Sequence, residues 1–417
     1  MKQIAVLTLG SRGDVQPFVA LCLALRKFGL KAKLISYSQF EDLAKEYDVP
    51  FSSIRHSYEE KLVEILRSHT NPLTIPQEIQ KNIGSTIDKV LMECWFKCQG
   101  SDAIVSAGTA FWGYDIAEKL RIPSIAVGLL PLRPTKEFPA CAGPQVNINS
   151  TFNKLSALFV GRTFWNGFKE SINRWREETL GLSAWREVPF ESSKWENQLE
   201  LLAYSSTLVP QPSDWKDNVY TTGFWFLEQP EGFSPQPDLV EFLSQEAKPI
   251  YVGFGSMKSE KSIRRKLANV FLNAVKATGQ KYIFSGDLAA EITPKENIFC
   301  IDSIPHDWLL PQVSLAIHHG GAGTTGASLK AACPSLVMPF FSDQYFWANR
   351  LVKAGASPKV LRKEKISEQE VINMLQQMKS IKQYHLATKK LSSLLNQEGG
   401  VDYAASLISK YISAGSK

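Results

Sequence analysis

The chain has 417 residues, 44% of them hydrophobic and 21% charged, an ordinary balance for a globular protein with room for two cores. Its formal charge of +6 is small and spread along the sequence. That argues against nucleic acid as the main partner and leaves loose attraction to an anionic nucleotide or membrane.

Lys2–Leu9 is too short for a signal peptide and lacks a small-residue cleavage site. It reads as the first strand of a parallel sheet, running straight into Gly10-Ser11-Arg12-Gly13-Asp14-Val15-Gln16-Pro17-Phe18. Further strands are expected at Lys33–Ser36, Asp102–Ser106 and Ser124–Val127, with helices at Pro17–Phe28, Glu60–Arg67, Gln77–Cys98 and Ala110–Leu120. This alternation is that of βαβ units with both sheet faces covered.

Residues 150–195 are aromatic and basic, with Trp165, Trp175, Trp185 and Trp195 spaced by ten. Their neighbours share nothing, so no repeat is read. Helices packed on the first domain are the main expectation; an exposed apolar ridge touching a lipophilic ligand or a membrane is the alternative. Gln229–Pro237 reads as a linker. A second α/β series follows, with strands at Pro249–Phe254, Lys281–Ser285, Asn297–Ile301, Ser314–Ile317 and Ser335–Met338. Helices are expected at Ile263–Thr278, Tyr345–Val352 and Tyr403–Ile412. The domains are therefore set at 1–228, 248–395 and a terminal segment 396–417, with a linker at 229–247.

Six cysteines sit mostly inside apolar patterns; Cys94 and Cys98 lie one turn apart without a paired CxxC or nearby histidines. Reduced, packed thiols in a cytoplasm are expected, and no zinc site. No apolar run of about 18 residues suggests a membrane span.

Most of the chemistry is in Ile317–Gln344. A buried strand ends in His318-His319, passes through Gly320-Gly321-Ala322-Gly323, and opens a helix at Thr324-Thr325. A helix N-terminus reached through glycines leaves backbone N–H groups facing outward, and the helix dipole adds positive charge. The pattern predicts a nucleotide-diphosphate cradle with His319 at its lip, while His318 should point the other way into packing. Asp14, just past the first strand, is a candidate general base; its alternative role is to cap the following helix. A dinucleotide-binding reading fails because Gly10-Ser11-Arg12-Gly13 lacks the Gly-x-Gly-x-x-Gly spacing.

The two motifs, some 300 residues apart and in this order, resemble the signatures of the UDP-sugar glycosyltransferases of the GT-B fold. The likeness is to the sterol glucosyltransferase and glycopeptide-antibiotic glycosyltransferase branch. It implies an α/β chain of two Rossmann-like, doubly wound parallel-sheet domains facing across a cleft, with the last helix crossing back to the N-terminal domain. It implies an inverting, metal-independent transfer of a hexose from a UDP-sugar, with no cofactor and Asp14 as base. Donor contacts carried over are Ser11, Gly13, Ser256, Ile304, His319, Gly321, Ala322, Gly323, Thr324, Asp343 and Gln344. The pair Asp343-Gln344 would hold the sugar hydroxyls. No histidine matches the base of the plant relatives, Ser303 stands where they carry a base-stacking tryptophan, and Ser328 where they carry a ribose-binding glutamate. TDP therefore stays open beside UDP.

For the acceptor, Phe111, Trp112, Leu129, Leu130 and Leu132 follow N-domain strands. They read equally as a pocket for a lipophilic alcohol (a sterol, hopanoid or carotenoid) or as core. A specialised-metabolite acceptor and a non-catalytic nucleotide-sugar binder are the rivals. A monomer is expected, cytoplasmic, with peripheral membrane contact left open.

Overall fold

The computed structural model describes residues 1–414 except 70, 256–260, 363–365 and 381. Two wholly parallel sheets organise the chain. The first is built from β1 (Gln3–Leu7), β2 (Lys31–Tyr37), β3 (Phe51–Ile54), β4 (Ala103–Ala107), β5 (Ser124–Gly128), β6 (Leu199–Leu202) and β7 (Val219–Thr221). Their order is β3-β2-β1-β4-β5-β6-β7. Every residue of β4 is buried, as expected for a strand with helices on both sheet faces. The second sheet has β8 (Ile250–Gly253), β9 (Tyr282–Ser285), β10 (Ile298–Ile301), β11 (Leu315–His318) and β12 (Ser335–Val337). Their order is β10-β9-β8-β11-β12.

The chain divides into two units, one of residues 1–204, 211–227 and 399–417, the other of 205–210 and 228–398. Within the first, the terminal helix Gly400–Ala414 buries Ala404, Ala405, Ile408 and Ile412 in the core that contains β1. Lys27 Nζ reaches Asp402 at 3.0 Å, and Lys2 Nζ donates to the Ile412 carbonyl at 3.0 Å. The expected linker, 229–247, contains a helix. Pro237–Ser244 is a helix whose Leu239 and Phe242 are buried with Tyr251, Ile283 and Leu309 of the second unit.

β3, β6 and β7, each of three or four residues, are absent from the sequence reading. β6 also carries Glu200, a residue that argues against a strand. Its carboxylate takes the Arg133 guanidinium at 2.5 Å, a partner supplied only by the fold.

The aromatic segment is mostly core. Helix Ser150–Trp175 continues as a π-helical turn, Arg176–Leu180, and Trp165, Trp175, Trp185 and Trp195 are all buried. Arg176 and Asp115, each with a side chain 3% exposed, form an ion pair inside the unit. Glu118 joins it at 2.9 Å, Trp185 Nε1 donates to Asp115 at 2.8 Å, and the guanidinium lies over the Trp185 ring. Among the described residues no helix is long and apolar enough to cross a membrane.

Candidate functional site

In each sheet the strand order turns at the strand that opens the unit, and a ligand crevice is expected at the carboxyl ends of the strands on either side of that turn. In the second unit these are β8 and β11, which pair directly. Gly255 follows β8 and His319 follows β11, so the two meet. A Cβ on Gly255, whose φ is +66°, would lie 2.8 Å from His319 Cε1, and one on Gly321 would lie 2.5 Å from His319 Nε2. The imidazole is thus held between two positions that only glycine fills without displacement. Its Nδ1 is buried without a hydrogen-bond partner among the described residues. Burial, and then the nearby His306, lower its pKa to about 4. A neutral imidazole with a donor to offer, beside a helix N-terminus, suits a phosphate oxygen.

Helix Ala322–Lys330 starts at Gly321 in extended conformation. Ala322 and Thr324 are half-buried, Gly323 is exposed, and a Cβ on Gly323 would meet nothing within 4 Å. The first turn is therefore open to a ligand from outside. His318 is fully buried and its Nδ1 accepts the Gly320 N–H at 3.1 Å. It supports the turn from behind, as its place in the strand implies.

Asp343 and Gln344 form a tighter structure than a pair of sugar contacts needs. Gln344 is 6% exposed, and its Oε1 accepts the N–H groups of Phe340 at 2.7 Å and Phe341 at 3.3 Å. That oxygen braces its own loop, so any contact to a sugar has to come from Nε2. Asp343 stands at the N-cap of helix Gln344–Lys353, and its Oδ2 accepts Trp347 Nε1 at 3.2 Å. Ile304 is partly buried against the apolar cluster beneath β8–β10. Ser256 lies outside the described residues.

Sequence reasoning missed a polar chain at the ends of β8 and β9. Tyr251 Oη meets Ser285 Oγ at 2.8 Å and His306 Nε2 at 3.3 Å. Tyr251 sits two residues before the strand's last glycine and faces inward, so nothing in its spacing marked it.

In the first unit β1 and β4 flank the corresponding turn in strand order. Asp14 is not in a loop: helix Arg12–Lys27 begins earlier than Pro17, and Asp14 is its third residue. Asp14 Oδ2 accepts the Ser11 backbone N–H and the Ser11 hydroxyl, both at 2.8 Å. Ser11 is the N-cap of this helix and Asp14 the N3 residue of its capping box, so the carboxylate closes the first turn and Ser11 is engaged by it. Gly13, next in the same turn, is exposed. Burial raises the Asp14 pKa, against the two hydrogen bonds that lower it. Glu59, whose own pKa burial pushes up to about 7, feels the charge of Asp14 next most strongly. A second carboxyl group thus stands near the candidate base, unmarked by any motif.

The residues expected to line an acceptor pocket are not alike. Trp112 is fully buried and stacks on Phe168, and Phe111 is 4% exposed amid Phe164, Trp165, Phe168, Phe190 and Trp195. Both are buried among aromatic side chains, as the core alternative for them expects. Leu129 is partly buried against the same core, Leu130 is half-buried, and Leu132 is 49% exposed.

Two parallel α/β units, the second with a glycine turn at a helix N-terminus clasping a histidine, define the GT-B glycosyltransferase fold. Comparison with solved structures agrees. The calicheamicin glycosyltransferase CalG4 aligns over 99% of this chain and 98% of its own with a TM-score of 0.73 at 16% identity. The glycosyltransferase SnogD from Streptomyces nogalater aligns over 99% and 100% with a TM-score of 0.67 at 16% identity.

Residues 4–139 match the glycosyltransferase family 28 N-terminal domain, and residues 286–397 the erythromycin biosynthesis protein CIII-like C-terminal domain. The chain thus has the GT-B fold and carries a match to a glycosyltransferase domain model in each half. It is similar to the sterol 3-beta-glucosyltransferase of Aspergillus oryzae, 32% identical over 97% of this chain and 30% of the relative. The protein of that name from Aspergillus clavatus is 33% identical over 85% of this chain and 26% of the relative. The chain spans only about a quarter to a third of the length of these relatives.

Proposed function

We propose that this chain is an inverting glucosyltransferase that moves glucose from UDP-glucose to the hydroxyl of a sterol or a similar lipophilic alcohol. The observation that carries the reading is the likeness to sterol 3-beta-glucosyltransferases across 97% of the chain. The His319 cradle supplies a chemical basis. The N–H groups of the turn, the helix dipole and the imidazole neutralise the departing diphosphate, so no metal is required. Asp14 takes the acceptor proton as the C–O bond forms. A carboxylate is a weak base for a free alcohol, but the hydroxyl becomes acidic during that step, and a raised pKa makes the carboxylate a better acceptor. One displacement with one base inverts the anomeric centre, giving a β-glucoside from an α-linked donor.

The test is calorimetry in metal-free buffer with UDP and TDP, followed by turnover of UDP-glucose with cholesterol or ergosterol. TDP is the comparison because structural neighbours include complexes with thymidine diphosphate. UDP binding with sterol glucoside formed in the presence of EDTA supports the reading. Preference for TDP moves the donor class, and no nucleotide binding removes the cradle assignment.

A further inference from the structure

Residues 129–149, all of them described, join β5 to helix Ser150–Trp175 with no helix or strand of their own. A connection of that length at the carboxyl end of a parallel sheet commonly serves a ligand. Its first residues turn sharply. The Leu132 N–H donates to the Leu130 carbonyl at 2.9 Å, across the buried Pro131. Leu130 is half-buried and Leu132 is 49% exposed, so the turn presents an apolar corner just past β5.

The corner lies beside a glycine. Gly108, the first residue after β4, is exposed, and a Cβ built on it would lie 3.8 Å from Leu132 Cδ1. That is ordinary van der Waals contact, and the φ of Gly108 is outside the left-handed region. A side chain would therefore suit the backbone but fill the open space beside Leu132. Asp14 follows β1, which pairs directly with β4. The candidate base, Gly108 and the leucine corner thus stand past three neighbouring strands, β1, β4 and β5.

Polar contacts hold the corner from behind. Arg133, next in sequence, forms an ion pair with Glu200 of β6, the two side chains being 15% and 16% exposed. Glu200 stands opposite Ala126 of β5 in the sheet. Asp214 takes the Thr135 hydroxyl at 2.7 Å and the Lys136 N–H at 3.0 Å. Trp215 Nε1 donates to the Pro134 carbonyl at 3.2 Å. An ion pair this buried resists separation, because either partner alone would be a charge kept from water. Leu130 and Leu132 are thereby fixed as a wall.

We propose that Arg133 and Glu200 are positioning residues for the acceptor, and that Gly108 sets the width of the slot it enters. The ion pair keeps the two leucines where the apolar body of a lipophilic alcohol lies against them. The missing side chain at Gly108 leaves room for a broad ring system. These roles rest on the reading of the chain as a glucosyltransferase of a lipophilic alcohol, and they name what shapes that acceptor's site.

The test is steady-state turnover of UDP-glucose with ergosterol and with 1-octanol, alongside calorimetry with UDP. Arg133→Met should raise KM for ergosterol about tenfold, the apolar contact of roughly one leucine. Its kcat at saturation and its UDP affinity should stay near wild type. Arg133→Lys keeps a cation for Glu200 and should recover most of the loss. Arg133→Met with Glu200→Leu leaves no charge unpaired, so it stays folded if the single change does not, and it too should raise KM. Gly108→Val should raise KM for ergosterol at least as much and leave that for octanol nearly unchanged. Melting temperatures show that the variants compared are folded.

A wild-type KM for ergosterol in Gly108→Val, or in the folded double variant, overturns the proposal. So does a parallel fall of kcat and UDP affinity, because the pair would then serve the fold as a whole. Wild-type protein that binds UDP but glucosylates neither alcohol sinks the acceptor reading and this proposal with it. Ergosterol turnover with a KM that no variant moves sinks this proposal alone.

Discussion

Asp14 Oδ2 accepts two hydrogen bonds from Ser11, one from the backbone N–H and one from the hydroxyl, each at 2.8 Å. The capping and base roles thus fall on one residue, and the same pair of bonds sets the orientation of the carboxylate. An asparagine in its place could still accept from Ser11 but could not take a proton. Asp14→Asn should lower kcat for sterol glucosylation by about 10²–10⁴-fold with UDP affinity unchanged. Asp14→Ala should cost about 1 kcal/mol of stability in addition, through loss of the N3 carboxylate's bonds to the N-cap Ser11. Near wild-type turnover in Asp14→Asn would end the base assignment.

The same carboxylate predicts a pH profile. Its pKa is raised by burial, so kcat/KM should fall on acidification at a pH above the ordinary aspartate value, as the base takes up a proton. Glu59 is raised to about 7, first by burial and then by the charge of Asp14. Protonated more readily in the folded than in the unfolded state, Glu59 favours folding at acid pH. That contribution is lost as pH rises from the ordinary glutamate range through about 7. Glu59→Gln should therefore raise Tm at pH 8 relative to wild type and leave it nearly unchanged at pH 4. A Tm difference of the same size at both pH values would show that the fold does not favour protonated Glu59.

His319 and Gly321 make a paired prediction about the donor. His319→Ala removes one hydrogen bond to a charged oxygen, worth about 1.5–3 kcal/mol, so UDP affinity should fall roughly 10–100-fold. Gly321→Ala places a Cβ 2.5 Å from His319 Nε2 and should displace the ring with a comparable loss. Combining the two should cost little more than either alone, because both act through one side chain. Additive losses by calorimetry would show that the glycine serves the diphosphate independently of the imidazole.

Arg176 offers a stability test away from the site. Its removal strands Asp115 in the core, where burial already pushes the carboxyl pKa up to about 6 despite the guanidinium. Arg176→Met should destabilise the first unit by about 3–5 kcal/mol at pH 8. The deficit should shrink toward pH 5, where Asp115 takes a proton and sheds its charge. Urea denaturation at the two pH values measures it, and a deficit independent of pH would place the cost in packing.

The two α/β series, most of the strands and the glycine turn before helix Ala322–Lys330 were legible in the residues alone. Apolar strands covered on both faces have no alternation to misread, and a glycine turn between strand and helix signals its own geometry in adjacent residues. His318 and His319 were separable on the same ground, since neighbours on a strand face opposite ways. Other features depended on contacts between distant residues and emerged only with the folded chain. β6 tolerates Glu200 because Arg133 reaches it from another segment. The chain around Leu239 is a helix because its apolar residues find Tyr251 and Ile283. Trp112 is core and Leu155 is surface although both are large and apolar, and the Tyr251–Ser285–His306 chain joins residues 34 and 55 positions apart. Local pattern sets a backbone path and which side of it a residue takes. Burial, and the polar partners that burial demands, exist only once separate elements have packed.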